Sequence, residues 1–152
     1  MPVHHSWPLY ERERYFELGR LHGADTLDAV ANSADVAAVE QFGPTLSGWW
    51  ECDLEAANRL RWSNEVYDIF GLPRGAAVTR DETVALYEEG SRAAMEKLRA
   101  YAIKHRRGFT LDVEIKPATA APRWMRLIAA PVYIDGRIVK LQGLKFIVSG
   151  SA

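Results

Sequence analysis

The stretch that decides the fold is GFTLDVEIKPATAAPRWMRLIAAPVYIDGRIVKLQGLKFIV, residues 108–148. Phe109, Leu111, Val113 and Ile115 alternate with Thr110, Asp112, Glu114 and Lys116. Successive side chains on a strand point to opposite faces, so a period of two marks a strand with one buried side. Pro117 to Pro122 make a turn, and Arg123 to Ile134 follows as a long second strand. Asp135-Gly136 is a two-residue hairpin signal that leads into a third strand, Arg137 to Val148. Three antiparallel strands in succession build a sheet, and its apolar face must be covered.

The cover is read upstream. Ser91 to about Arg107 predicts a long helix with Met95, Leu98, Tyr101 and Ala102 on one side. Lys104, Arg106 and Arg107 stand at its C-terminal end, where cations complement the helix dipole, and Gly108 is the expected cap. A short helix is predicted from Asp81 to Tyr87, after a loop over 74–80. Ser63 is a suitable N-cap for another that carries Val66, Tyr67, Ile69 and Phe70 and stops at Gly71-Leu72-Pro73. Ahead of these, Trp49 to Leu54 and Arg59 to Trp62 read as two strands of a hairpin. The expectation is an α+β fold: a five-stranded antiparallel sheet with helices inserted between strands 2 and 3. Residues 9–43 read as a helical extension, with Leu9 to Leu21 stopping at Gly23 and a second segment carrying Leu27, Val30, Ala31 and Ala34.

Composition narrows the function. With 152 residues, 48% hydrophobic and 26% charged, the chain has material for one ordinary domain plus an extension. A net charge of −1 gives no bulk attraction to nucleic acid or anionic membrane, so neither is an expected partner. Residues 1–44 are acidic, with three Arg against seven Asp/Glu, whereas the remainder carries sixteen Lys/Arg against thirteen Asp/Glu. Cys52 is the only cysteine, which excludes an intramolecular disulfide and suits a reducing cytoplasm; no Cys/His spacing fits a closed zinc site. No apolar run approaches the ~20 residues of a membrane span.

The order of elements is that of PAS domains, and several segments resemble the PAS-3 class. Gly48-Trp49-Trp50-Glu51-Cys52-Asp53-Leu54 is similar to the family's opening strand, in which Gly is followed two residues later by Trp and five residues later by Asp. Trp62-Ser63 with Ile69-Phe70-Gly71-Leu72-Pro73 resembles its second strand and first helix, and Arg123-Trp124-Met125-Arg126 its penultimate strand. Asp135-Gly136 with Leu141-Gln142-Gly143 resembles its last hairpin. The likeness covers residues 46–149 and divides the chain into an extension (1–44), a PAS domain (45–149) and a tail (150–152). Three departures stand out. Cys52 occupies the place of a second Trp, Tyr87-Glu88-Glu89-Gly90 replaces the usual His-Pro-Asp-Asp cap, and Ile147-Val148-Ser149 replaces the closing Asp-Ile-Thr.

The resemblance implies a sensory or regulatory module that binds a small ligand or a protein partner between the concave sheet face and the helices. Strand parity and helix spacing give the expected lining as Trp50, Cys52, Leu60, Trp62, Ile69, Phe70, Met95, Leu98, Leu111, Val113, Leu127 and Ala129. No charged side chain is expected in it, which favours a small apolar ligand or a filled core. Arg123 to Ile134 is apolar on both faces, so the second face also needs cover. The expected arrangement is a homodimer through Tyr15, Leu18, Leu21, Leu27, Val30, Trp124 and Ile128. Covalent flavin photochemistry is disfavoured because Cys52 is on the opening strand, and haem because His105 stands among basic residues at a helix end; the cofactor is otherwise undetermined. No phosphate loop, nucleophile elbow or His-nucleophile pair is present, so no catalytic residue is assigned. The output is expected in a downstream signalling protein or effector domain, as in a two-component system. The alternatives are a cone-shaped isomerase or hydratase, which would need a titratable group in the cavity, and a ligand-free structural dimerisation module.

Overall fold

The Asp135-Gly136 turn closes with both residues at positive φ, 53° and 75°, the mirror-image geometry that matches strand twist. In the computed structural model, which describes residues 19–22 and 46–148, the elements run β1 (Gly19–His22), β2 (Ser47–Asp53), β3 (Arg59–Trp62), α1 (Asn64–Phe70), α2 (Arg80–Val84), α3 (Glu89–His105), β4 (Gly108–Ile115), β5 (Arg123–Ile134) and β6 (Arg137–Ile147). The five strands β2 to β6 form the expected antiparallel sheet with the helices between the second and third. The sheet order is β1-β4-β5-β6-β2-β3.

β1 corrects the reading of Leu9 to Leu21 as helix over its last residues. Gly19–His22 is a sixth strand, paired antiparallel to β4 with Leu21 opposite Phe109. The rest of the expected helical extension lies outside the described residues. A strand of four residues carries almost no periodic signal, and Leu18 and Leu21 fit a helical spacing as well as any other. The gain from pairing is tertiary: β1 satisfies the backbone of Gly108–Leu111, which would otherwise form an open sheet edge. The rest of that edge is closed by the segment joining α2 to α3. Glu88 N donates to Glu114 O at 2.9 Å, Lys116 N donates to Leu86 O, and Tyr87 bridges Ile115.

Cross-strand partners share a face, so the registers define two surfaces. Leu21, Phe109, Ala129, Gly143, Trp50 and Trp62 form one row across all six strands, on the concave side. The neighbouring rows hold Leu111, Leu127 and Lys145, and Pro131, Leu141, Cys52 and Leu60. With Val66, Ile69 and Phe70 of α1 and Met95, Leu98 and Ala102 of α3, these make the core. β5 is apolar on both faces, as expected. On the convex side Ile128 is fully buried, Phe146 and Thr110 nearly so, and Trp49 is 43% exposed.

The long helix departs from expectation at its ends. It begins earlier, at Glu89, because Glu88 caps it: its carboxylate accepts a hydrogen bond from Ser91 N at 2.9 Å. The same bond, with one from Gly90, holds that carboxyl below its ordinary pKa. The segment replacing the family's usual cap therefore still caps. The helix ends at Arg106, not Gly108, with Arg106 in the left-handed region at φ 58° and its N–H bonded to Ala102 O. That leaves Gly108 free to begin β4.

Candidate functional site

The concave face meets α2 and α3 around a cavity of about 40 Å³. At roughly 15 Å³ per water centre this is room for about three waters. Its walls are set by a chain of local contacts that starts at Gly143. A Cβ there would lie 1.7 Å from Ile128 O and 3.0 Å from Trp50 Nε1. Glycine therefore lets the Trp50 indole cross β6, where its N–H donates to Ile128 O at 3.2 Å and Leu144 O at 3.3 Å. Trp62, directly opposite Trp50, stacks on Phe70 with centroids 5.1 Å apart and meets Tyr67 edge-on at 5.0 Å.

The helical wall is held as firmly. Thr79 and Glu82 form a reciprocal capping box at the start of α2, fixing Arg80, Thr83 and Val84 toward the cavity. Ser91 Oγ accepts from Glu114 N at 2.9 Å and ties the first turn of α3 to β4.

Of the expected lining, the structure brings Trp50, Leu60, Met95 and Leu127 to the cavity. Cys52, Trp62, Ile69, Phe70, Leu98, Leu111, Val113 and Ala129 are in the surrounding core without bordering the space. The cavity adds Phe109, Leu141, Val84, Thr83 and Tyr87, and three cationic side chains: Arg80, Arg99 and Lys145. Arg80 is paired with Glu96. Arg99 donates to Asn58 Oδ1 at 3.2 Å and approaches Cys52 Sγ at 3.7 Å.

Lys145 overturns the expectation of an uncharged lining. It is 6% exposed, and its amine lies over the rings of Phe70, Trp50 and Trp62 at 5.0, 5.1 and 5.7 Å. Among the described residues no carboxylate pairs with it. Burial pushes its pKa down to about 7 from 10.5, Arg80 adding to the effect and Cys52 opposing it. Burial also raises the Tyr87 hydroxyl far above its ordinary value. The signal for Lys145 was in the sequence: Leu141, Gly143 and Lys145 alternate, so once Leu141 faces inward Lys145 does too. A lysine normally reads as exposed, so residue type points against the inward position that parity gives it.

Three residues expected to bind a second copy are placed by the structure. Leu21 is 5% exposed and in the concave core, and Ile128 has no exposed surface, so neither is open to a partner. Trp124 is half-buried. Tyr15, Leu18, Leu27 and Val30 lie outside the described residues. His105 is exposed and stacked on Tyr101, with centroids 4.0 Å apart.

Comparison with solved structures decides the fold family. The chain is similar to an RNA-binding Light-Oxygen-Voltage receptor, at TM-score 0.60 and 17% identity over 70% of this chain, which spans only 30% of that one. It also matches the N-terminal domain of a diguanylate cyclase with PAS/PAC sensor from Marinobacter aquaeolei, at TM-score 0.58 and 12% identity, covering 66% of this chain and 92% of that. A PAS domain from Colwellia psychrerythraea aligns at TM-score 0.57 and 12% identity over 70% and 89% of the two chains. The chain has the PAS fold. No family model matches the sequence, and no curated protein does. The chain thus shares its fold with the N-terminal domain of a diguanylate cyclase with PAS/PAC sensor. No helix of its described residues is long and apolar enough to cross a membrane.

Proposed function

We propose that this PAS domain, of the PAS-3 class, is a cytoplasmic sensory module that catalyses nothing itself. A small molecule entering the cavity changes how residues 1–44 pack on the sheet, and a downstream effector reads the change. One observation carries the reading: the cavity wall Phe109 is in register with Leu21 of β1, so the site and the extension share a row of the sheet. A ligand that displaces Phe109 acts on Leu21 directly, which gives differential contact in two states, as any ligand-driven shift requires. Homodimerisation through the convex face remains part of this proposal, with exposed Trp49 as its anchor.

Native mass spectrometry of gently purified chain tests it. A small-molecule adduct that leaves on denaturation supports sensing. A bare chain whose melting temperature no small amphipathic compound moves at millimolar concentration refutes it, and favours a structural module.

One observation favours a second reading. An amine with a pKa near 7 in an apolar cavity is suited to act as a general base, which the isomerase alternative lacked. That reading predicts Lys145-dependent exchange of α-protons of small ketones into D₂O by NMR. Exchange no faster than in buffer eliminates it.

A further inference from the structure

The polar inventory of the cavity is one-sided. Arg80, Arg99 and Lys145 all border it, yet Glu96 is the only carboxylate bound to any of the three among the described residues, and it is held by Arg80. Among the described residues Lys145 meets ring faces and no acceptor. The indole N–H of Trp62, whose ring centroid is 5.7 Å from the Lys145 amine, is also buried without an acceptor among the described residues. Buried donors are normally satisfied, and a buried cation is normally paired. Two such groups side by side mark a place that lacks its counterpart. Leu60, Met95, Leu127 and Leu141 supply the apolar remainder of the wall.

We infer that the cavity is a binding site for a short-chain aliphatic monocarboxylate, its carboxylate paired with Lys145 and its alkyl tail against Met95, Leu127 and Leu141. This rests on the ligand-sensing reading above and names its ligand class. Charge selects an anion, because a neutral ligand leaves Lys145 unpaired. Size selects a short chain: space for about three waters suits only small aliphatic acids, with acetate filling it and butyrate at the upper limit. A dicarboxylate with the same tail needs more room than space for about three waters gives.

Pairing with a carboxylate favours the ammonium form, so binding draws a proton onto Lys145 wherever the free amine is neutral. The groups facing it are Cys52 on β2, Arg80 on α2, Tyr87 between α2 and α3, and Arg99 on α3, with Glu96 held by Arg80. Affinity for the carboxylate is therefore expected to fall by up to tenfold per pH unit above about 7.

Isothermal titration of the full chain with butyrate, butyramide and 1-butanol tests the inference. Butyrate is expected to bind at least tenfold tighter than either neutral analogue near about pH 6, and near about pH 8 to take up almost one proton, read from the enthalpy in buffers of different ionisation heat. Lys145→Met should abolish the preference and the proton uptake while a circular-dichroism melt shows it folded; Arg61→Ala, at an exposed position away from the cavity, should keep both. Equal binding of butyrate and butyramide, or a preference that survives in Lys145→Met, overturns the anion assignment and leaves the sensing proposal standing. Binding of none of the three also overturns it, whereas the sensing proposal fails only if native mass spectrometry and the wider compound screen are blank as well.

Discussion

Replacing Lys145 with methionine should stabilise this domain at neutral and acidic pH and remove a specific segment of its pH profile. Methionine keeps the length and apolar stem of lysine and discards the charge. The fall from 10.5 to about 7 corresponds, at ~1.36 kcal/mol per pH unit, to a penalty on the order of 5 kcal/mol for holding the ammonium inside. The sign follows from proton counting. Below about pH 7 lysine is charged in both folded and unfolded chains and the cost is fully present. Between about 7 and 10.5 the unfolded chain binds more protons than the folded one, so wild-type stability rises with pH relative to the variant. Urea denaturation followed by circular dichroism, from about pH 6 to pH 10, should therefore show Lys145→Met more stable by about 5 kcal/mol at the acid end and the two curves converging toward the alkaline end. Parallel curves, or a variant less stable at about pH 6, would show that Lys145 is hydrated or paired in the folded chain, and would remove the basis of the anion site.

Other substitutions probe the frame around the cavity. Gly143→Ala should cost on the order of 3 kcal/mol in the same urea assay, from overpacking against Ile128 O plus the loss of the Trp50 indole bonds; a loss within ~0.5 kcal/mol would contradict the close approach. Glu88→Ala should lower the melting temperature at neutral pH by removing the cap of α3. Because the folded Glu88 pKa lies below 4.5, that difference should vanish as pH falls from 4.5 through the folded value, and a gap that persists there would count against the cap. Leu21→Asp should unpair β1, seen as faster hydrogen exchange at Gly108 to Leu111 with β6 unaffected; unchanged protection would mean β1 contributes nothing to the edge. Trp49→Ser should shift light scattering toward monomer if the convex face joins two copies, and an unchanged mass retires that role for Trp49.

The parts legible in the sequence were those with a strong local code. Phe109 to Ile115 alternates without a break, Asp135-Gly136 has one favoured turn geometry, and Met95, Leu98 and Ala102 recur at helical spacing, so β4, the β5–β6 hairpin and α3 were recognisable from residue types alone. β1 was not. Four residues paired to a distant strand gain their stability from Gly108–Leu111, about ninety positions away, and no local pattern encodes that gain. The cavity was half legible for a related reason. Inward facing is a property of parity and could be read for Trp50, Leu60 and Leu127, but whether an inward side chain fills the core or borders a space depends on how α2 and α3 sit. Thr79, Glu82, Glu88 and Ser91 set that through hydrogen bonds, one of them to β4.

Lys145 shows how such a site could have been found. A lysine on an inward register position of a central strand is a conflict between parity and residue type, and such a conflict costs stability unless something uses the charge. β6 lies between β5 and β2, so Lys145 cannot escape sideways into solvent; Leu127 is opposite it on β5, Gly48 on β2, and the Trp50 ring lies under its amine. A chain under selection only for a filled core would gain by placing methionine or leucine there. On the proposed reading that cost is energy held for an anion, which would pair with the Lys145 ammonium, press on Phe109 and reach β1 through Leu21. Binding and readout then draw on the same few residues.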